Sequence, residues 1–200
     1  MSRFRYARIA VLLGFLLASA ASAGSVSGKV VDASGTPVAR ARVEWMPFRD
    51  EDQTLVDETR GAEPAILGTV QTDAAGRFRI ALDKPGLSVS VRIIAANLPA
   101  ARLPGPYDSS EDAAVADVAL PAGARASGRV MDETGKPVAN ARVVVRGDEL
   151  LSEDDIQFSS EAKTAADGTY SMLNAPAAPR WLRVSTPGLS RFSRQELQAS

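Results

Sequence analysis

The sequence contains no cysteine and no histidine, and each absence excludes a class of chemistry. Without cysteine there is neither a disulfide framework nor a thiolate metal site, so stability must come from packed apolar cores. Without histidine, the Ser-His and Cys-His nucleophile pairs and the commonest general base are missing. We therefore predict that the protein is not an enzyme and uses no cofactor, no catalytic residue and no bound metal.

Residues 1–23 have the order of a secretory signal. Arg3, Arg5 and Arg8 form a basic start, a short apolar run follows, and small residues lead to Ala23. A membrane-spanning helix needs about 20 apolar residues, which this run does not reach. We therefore expect cleavage after Ala23, export, and no membrane span in the mature chain. The periplasm, the cell surface and the medium are all open as destinations.

The charge of the remaining chain limits its partners. Removing the three arginines of the signal leaves 20 basic residues against 24 acidic ones. A mildly acidic chain argues against a nucleic-acid partner and against binding to an anionic membrane surface. The 177 residues that remain correspond to one large domain or two small ones.

A repeat runs through the chain. Residues 28–43 recur as residues 128–143, and ten of the 16 positions are identical. A second block, residues 72–80, returns as residues 164–172. The spacing shortens between the two blocks, where the first copy has a longer acidic loop over residues 48–67. We interpret the chain as a tandem duplication.

Both copies have the alternation of β-strands. Ala41, Val43 and Trp45 point one way while their charged neighbours point the other. Frequent glycine and proline turns, with no convincing amphipathic helix, predict an all-β fold. We expect two tandem antiparallel sandwiches, immunoglobulin-like or prealbumin-like, over residues 24–121 and residues 122–200.

The repeated block resembles a known family. The pattern Gly-x-Val-x-Asp-x-x-Gly-x-Pro-Val-x-x-Ala-x-Val, followed by Thr-x-x-x-Gly-x-aromatic, is similar to the carboxypeptidase regulatory-like domain. The resemblance implies small transthyretin-like sandwiches, grouped with carbohydrate-binding-like folds, at residues 24–121 and 124–189. Modules of this family accompany metallocarboxypeptidases, precede TonB-dependent transporters and occur in arrays on bacterial surface proteins. Its matched residues are strand cores and turns, so no catalytic residue is carried over.

The second copy is predicted to lack its last strand. Only 12 residues follow Gly188, and they are polar. The first copy uses 24 residues after Ala96 to reach the end of its last strand at Leu120. An unpaired edge invites pairing with another chain. Continuation of the natural chain beyond Ser200 is the favoured interpretation, and an open edge is the other.

Three residues are candidates for ligand binding: Trp181, Arg183 and Tyr107. Leu182 and Val184 take the core face of their strand, which turns Trp181 and Arg183 outward. An outward indole can stack on a sugar or anchor a partner, or it can be covered by a neighbouring module. Tyr107 lies in a proline-rich loop, either as an exposed contact or as a side chain that pins the loop to the sandwich.

These observations predict a non-catalytic exported pair of modules. Its role is binding, with polysaccharide as the candidate ligand, or assembly with another protein of the cell envelope. The alternative is a spacer at the front of a longer TonB-dependent transporter, peptidase or surface protein. The acidic clusters are interpreted as solvated loops, because they lack the spacing of a calcium loop. The oligomeric state stays open.

Overall fold

The computed structural model describes most of the chain that follows the predicted signal. The described residues are 24–60, 62, 65–147, 155–177, 181–186 and 189–193. The predicted signal at residues 1–23 lies outside them. Within the described part, no helix is long and apolar enough to cross a membrane.

The described residues form fifteen strands and one helix, which confirms the all-β prediction. The first half contains β1 (Gly24–Asp32), β2 (Arg42–Pro47), α1 (Glu51–Thr59), β3 (Gly68–Gln71), β4 (Arg77–Leu82), β5 (Ser88–Ile94), β6 (Ala100–Arg102), β7 (Tyr107–Asp108), β8 (Asp112–Ala114) and β9 (Val118–Leu120). The second half contains β10 (Ala124–Arg129), β11 (Arg142–Arg146), β12 (Gln157–Lys163), β13 (Thr169–Ala175), β14 (Trp181–Thr186) and β15 (Leu189–Ser193).

Each half has a small sheet built around its first strand. In the first half, β1 pairs antiparallel with β4, and its other edge pairs with β8 and β9. The strands β8 and β9 run in the same direction as β1, so these two pairings are parallel. This differs from the antiparallel pattern that the sequence predicted. In the second half, β10 pairs antiparallel with β13.

The large sheet is continuous through both halves. Its order is β15-β14-β11-β12-β6-β5-β2-β3, with β7 added to β5. The two halves join where β12 pairs antiparallel with β6, which places Phe158 opposite Ala101 and Ser159 opposite Ala100. Two separate sandwiches would have left these edges open, so the join removes one edge from each half.

Two apolar cores lie between the sheets. Val43, Ile80 and Ile93 are fully buried in the first core, and the second core contains Val143 and Val145. Trp45 packs against the first core, as the alternation of its strand predicts. Ile156 and Phe158 belong to the second half of the chain, yet they also pack against the first core. The halves therefore share buried surface as well as a sheet.

The repeat is visible in the turn that follows the first strand of each half. The carboxylate of Asp32 accepts hydrogen bonds from the backbone amides two and four residues on, at 2.8 and 3.0 Å. The carboxylate of Asp132 accepts the same two bonds at 2.9 and 3.0 Å. Gly35 and Gly135 have φ values of +83° and +80°, which favour glycine.

A buried threonine ties two strands together in each half. The hydroxyl of Thr72 accepts a hydrogen bond from the amide of Ala41 at 2.8 Å and donates to a valine carbonyl at 2.7 Å. The hydroxyl of Thr164 makes the same two bonds, to the amide of Ala141 and to the corresponding carbonyl, at the same distances. The two halves thus repeat not only a sequence pattern but also its internal hydrogen bonds.

Helix α1 lies in the acidic loop of the first half, where the sequence indicated no convincing helix. The carboxylate of Asp50 accepts a hydrogen bond from the amide of Gln53 at 2.8 Å and so caps the first turn. Arg49 pairs with Asp57 at 3.1 Å. The helix has no strong apolar stripe, which is why periodicity did not predict it. It lies against β14 and β15 of the second half.

Candidate functional site

Strand alternation gives the large sheet one apolar face and one cationic face. Val43, Ile93 and Val143 point into the cores. The residues between them point to the opposite face, so Arg42 and Arg92 lie there together with the arginines of β11. This outer face crosses the join between the two halves without interruption.

A cavity of about 430 Å³ opens on this face beneath the loop that carries α1. Cavities of about 300–1,000 Å³ are typical of small-molecule sites. We call this space the arginine cleft, after the six arginines that line it: Arg42, Arg49, Arg92, Arg102, Arg142 and Arg146. Two carboxylates, Asp57 and Glu161, line it as well.

Short side chains form the floor of the arginine cleft, and arginines line its two sides. Ala100 and Ser159 face each other across the β6–β12 join and both line the cavity. On the side of the first half, Arg92 stands opposite Arg102 in register. On the other side, β11 lies next to β12 and supplies Arg142 and Arg146. Short side chains at the join therefore leave room between two groups of guanidinium groups.

A buried carboxylate anchors two arginines on the side of the first half. Glu44 is only 2 % exposed. Its Oε1 lies 2.9 Å from Nε of Arg42, and its Oε2 lies 2.7 Å from Nη2 of Arg92. One carboxylate thus bridges two cationic side chains and fixes both against the sheet.

A second carboxylate anchors one arginine on the side of the second half. Nη2 of Arg142 donates a hydrogen bond to Oε2 of Glu161 at 2.8 Å. Burial alone raises the pKa of Glu161, but the hydrogen bond from Arg142 and the charges of Arg142, Arg92 and Lys163 outweigh it and hold the pKa below its usual value. Glu161 is therefore charged at neutral pH and orients one arginine.

The described lining of the arginine cleft is rich in charged groups of both signs. Six arginines lie beside the carboxylates of Asp57 and Glu161, and the carboxylate of Glu44 lies beneath them.

Trp181 and Arg183 lie on the same outer face. Trp181 stands opposite Arg146 in register and is partly exposed, while Leu182 packs into the second core as predicted. Arg183 is 7 % exposed, so it points away from the core but not into solvent. Helix α1 lies against β14, on a strand whose outer face sequence reasoning treated as open.

Tyr107 is placed away from the other two candidates. It stands opposite Val89 in register and packs partly buried against the first core. Burial raises the pKa of its hydroxyl to about 12. Of the two interpretations, an exposed contact or a side chain that pins its loop, this position favours the second.

Sequence reasoning missed the arginines of the cleft as site residues. Their signal is present, because Arg42, Arg92 and Arg142 each precede a buried aliphatic residue in a strand. Of these three, only Arg42 was assigned a direction, to the outward face of its strand. What the local pattern does not contain is the β6–β12 pairing, which places the arginines of the two halves on one surface. In the described part of the chain, no group of histidine, cysteine or acidic residues has the arrangement of a metal site.

The fold defines a class of all-β proteins built from sandwich modules, and the second half of the chain is similar to a known family. Residues 125–200 match the carboxypeptidase regulatory-like domain. That match agrees with the resemblance that the sequence pattern indicated for this part of the chain. No curated protein sequence matches the chain.

Solved structures with a similar fold share little sequence with the chain. A streptococcal ancillary pilin is 11 % identical, with a TM-score of 0.35, and the match covers 90 % of this chain and 62 % of the pilin. The Bacillus anthracis TIE protein is 13 % identical, with a TM-score of 0.33 and coverage of 88 % and 31 %. The shaft pilin SpaA from Lactobacillus rhamnosus GG is 9 % identical, with a TM-score of 0.32 and coverage of 82 % and 88 %. The chain thus spans less than two thirds of the first two proteins, and likenesses this low carry no inference about function.

Proposed function

We propose that the protein is an exported, non-catalytic pair of carboxypeptidase regulatory-like modules that binds a ligand on the outer face of its large sheet. The modules would occupy residues 24–121 and 122–200, after removal of residues 1–23. The observation that carries this proposal is the position of the arginine cleft, which straddles the β6–β12 join and takes side chains from both modules. A surface that needs both modules explains why they occur as a pair.

Polysaccharide is the first ligand to test, because Trp181 stands beside the cleft on β14. The change is Trp181→Ala, and the measurement is electrophoresis of the purified protein through gels that contain neutral or acidic polysaccharides. Loss of a stacking indole is expected to weaken retention about five- to tenfold. The matched control is Leu173→Ala, which removes an exposed apolar side chain of β13 on the other sheet and should leave retention unchanged. Equal and negligible retention of the parent and both variants on every polysaccharide would overturn the saccharide proposal.

The alternative function is that of a spacer at the front of a longer envelope protein, such as a TonB-dependent transporter, a peptidase or a surface protein. The continuous sheet favours this candidate as well, because it would hold a following domain at a fixed distance. The intact mass of the exported protein separates the two. A mass equal to that of residues 24–200 supports a free binding unit, whereas a much larger mass supports the spacer.

A further inference from the structure

The small sheets of the two halves differ at one edge. In the first half, β1 pairs with β4 on one side and with β8 and β9 on the other. In the second half, β10 pairs with β13, and no strand among the described residues pairs with its other side. The last described strand, β15, pairs with β14 in the large sheet. We call this second side of β10, together with Val130 and Met131 that follow it, the β10 edge.

The repeat shows which backbone groups point to the β10 edge. In the first half, the carbonyl of Ser27 accepts a hydrogen bond from the amide of Val115 at 2.9 Å. Ser127 has the same position in β10, 100 residues further on. The amide and the carbonyl of one strand residue point to the same side, so Ser127 directs both groups to the β10 edge. Such a row of donors and acceptors is a template for a further strand.

An apolar side chain is exposed at the β10 edge where its counterpart in the first half is covered. Val31 stands opposite Ala119 of β9 in register and is 7 % exposed. Met131 has the equivalent position in the second half and is 54 % exposed. On either side of Ala119, the side chains of Val118 and Leu120 are fully buried in the first core. A strand of this kind at the β10 edge would bury apolar surface as well as backbone groups.

The segment that covers β1 also carries two acidic residues that contact it. Asp117 lies 3.7 Å from Nζ of Lys29, and the carboxylate of Asp112 accepts a hydrogen bond from the hydroxyl of Ser25. In the first half, carboxylates therefore accompany the aliphatic residues of the covering strands.

Arginines have both of the equivalent positions in β10. Arg125 corresponds to Ser25, Arg129 corresponds to Lys29, and both arginines are exposed. Nε of Arg129 donates a hydrogen bond to the backbone carbonyl of Asp167 at 2.8 Å, so part of its hydrogen bonding is already satisfied. We therefore expect Arg125 to contribute more to the attraction of an acidic strand.

We infer that the β10 edge binds an extended segment of a partner protein as an added strand. The segment runs parallel to β10, as β8 and β9 run parallel to β1. It is aliphatic at the places that Val118 and Leu120 have in the first half, and acidic at the places of Asp112 and Asp117. The β10 edge belongs to the small sheet of the second half, so the inference goes beyond the ligand face of the proposed function.

The test uses a synthetic peptide with the sequence of residues 111–120, blocked at both ends, because this segment covers β1 in the first half. Amide hydrogen exchange of the purified protein is followed by NMR with and without excess peptide. We expect the amide of Ser127 to exchange quickly in the free protein and at least tenfold more slowly with the peptide. The amide of Ser27 faces β8 and is the internal control, which should exchange slowly in both samples.

Two altered peptides separate the apolar contribution from the charged one. A peptide with Val118→Asn and Leu120→Asn loses the aliphatic pattern and is expected not to slow exchange at Ser127. A peptide with Asp112→Asn and Asp117→Asn keeps that pattern and loses the carboxylates, so we expect about fivefold weaker binding.

A change in the protein tests the same charges from the other side. Arg125→Gln is expected to weaken binding of the unaltered peptide about two- to fivefold, the range of an exposed ion pair. The matched control is Arg77→Gln, which removes the same charge from an exposed residue of β4 in the other small sheet and should leave binding unchanged.

Slow exchange of the Ser127 amide in the free protein would overturn the inference, because the β10 edge would then already be paired by this chain or by a second copy. Unchanged exchange at Ser127 with the peptide would do the same, as would equal slowing by the peptide without its aliphatic residues. Equal losses in Arg125→Gln and Arg77→Gln would contradict an acidic partner at this edge. Retention on polysaccharide gels is independent of all these results, so failure here leaves the proposed function standing.

Discussion

Glu44 shows how a single residue organises the cationic face. It lies in the middle of β2, it is 2 % exposed, and it contacts two arginines. A buried carboxylate is strongly disfavoured unless it is paired and hydrogen-bonded. The arginine pairs therefore make this residue tolerable in the sheet, and the carboxylate in turn holds the arginines that line the arginine cleft.

The change Glu44→Gln is expected to lower the free energy of unfolding by about 1–3 kcal/mol, because it leaves Arg92 without its buried counter-ion. Urea unfolding measures the effect. Arg42→Gln serves as the control, since the Arg42 side chain is 54 % exposed and water can replace part of its pairing. An effect of Arg42→Gln that equals that of Glu44→Gln would contradict a central role for the carboxylate.

The paired threonines give a second test at the scale of the residue. Thr72 and Thr164 are 4 % and 3 % exposed, and each hydroxyl makes one buried and one partly buried hydrogen bond. Replacing either residue with valine leaves a buried amide and a partly buried carbonyl without that partner, so each change should lower the free energy of unfolding by about 1–3 kcal/mol. Thr72→Ser and Thr164→Ser keep the hydroxyl and are expected to be milder. Clearly unequal losses in the two valine variants would argue against equivalent roles in the two halves.

At the scale of the element, the turns at Asp32 and Asp132 make the stability of the fold depend on pH. The hydroxyl of Ser34 is the first cause, and the backbone amide of Thr36 the second, that hold the pKa of Asp32 below its ordinary value of 3.8. The pKa of Asp132 is lowered in the same way, first by the hydroxyl of Thr134. A carboxyl whose pKa is lower in the folded state stabilises the fold above its unfolded pKa, and this contribution is lost as the pH falls through the folded pKa.

The corresponding measurement is a titration of the carboxyl carbons by NMR. Both turns are expected to titrate below pH 3.8 in the folded protein. Ser34→Ala should raise the pKa of Asp32 and leave that of Asp132 unchanged, so the second turn is an internal control. No change at Asp32 in this variant would show that the hydroxyl is not the main cause.

The connection between the two halves is a tightly packed element. A Cβ atom at Gly123 would lie 2.7 Å from the Cα of Asn174 and 2.7 Å from the carbonyl oxygen of Asn97, which belong to different halves. Nδ2 of Asn174 also donates a hydrogen bond to the carbonyl of Leu98 at 3.3 Å. The connection is thus a packed contact between backbones and not a loose linker.

Gly123→Ala is therefore expected to push the halves apart and to lower the free energy of unfolding by about 1–3 kcal/mol. Gly147→Ala is the matched control, because the nearest atom to its new Cβ would be at an ordinary distance of 3.6 Å. Thermal unfolding of both variants measures the difference. A stability of Gly123→Ala equal to that of the parent would mean that the connection yields easily.

The faces of individual strands could be predicted from the sequence, because alternation is a local property. Val89, Val91 and Ile93 are all buried, as expected for one face of a strand. Phe78 and Tyr170, the aromatic residues of the repeated Thr-x-x-x-Gly-x-aromatic pattern, also lie in their cores. Helix α1 was missed, because it is stabilised by a cap and an ion pair and not by an apolar stripe.

At the scale of the whole molecule, the all-β architecture and the regulatory-like family could be predicted, but the union of the two large sheets could not. The short strand β6 and the strand β12 have no complementary sequence pattern that marks them as neighbours. Their pairing depends on how the halves are oriented, which follows from the packed Gly123 and from Phe158 against the first core. The arginine cleft depends on the same union, so strand alternation predicted the outward position of Arg42 but did not predict the cleft as one site.

The most direct test that the two halves form one folded unit is scanning calorimetry of the purified protein. A sheet that continues through the β6–β12 join predicts a single transition, with both halves unfolding together and with calorimetric and van't Hoff enthalpies in agreement. Two separate transitions, with the first leaving one half folded, would contradict the continuous sheet and the binding surface that depends on it.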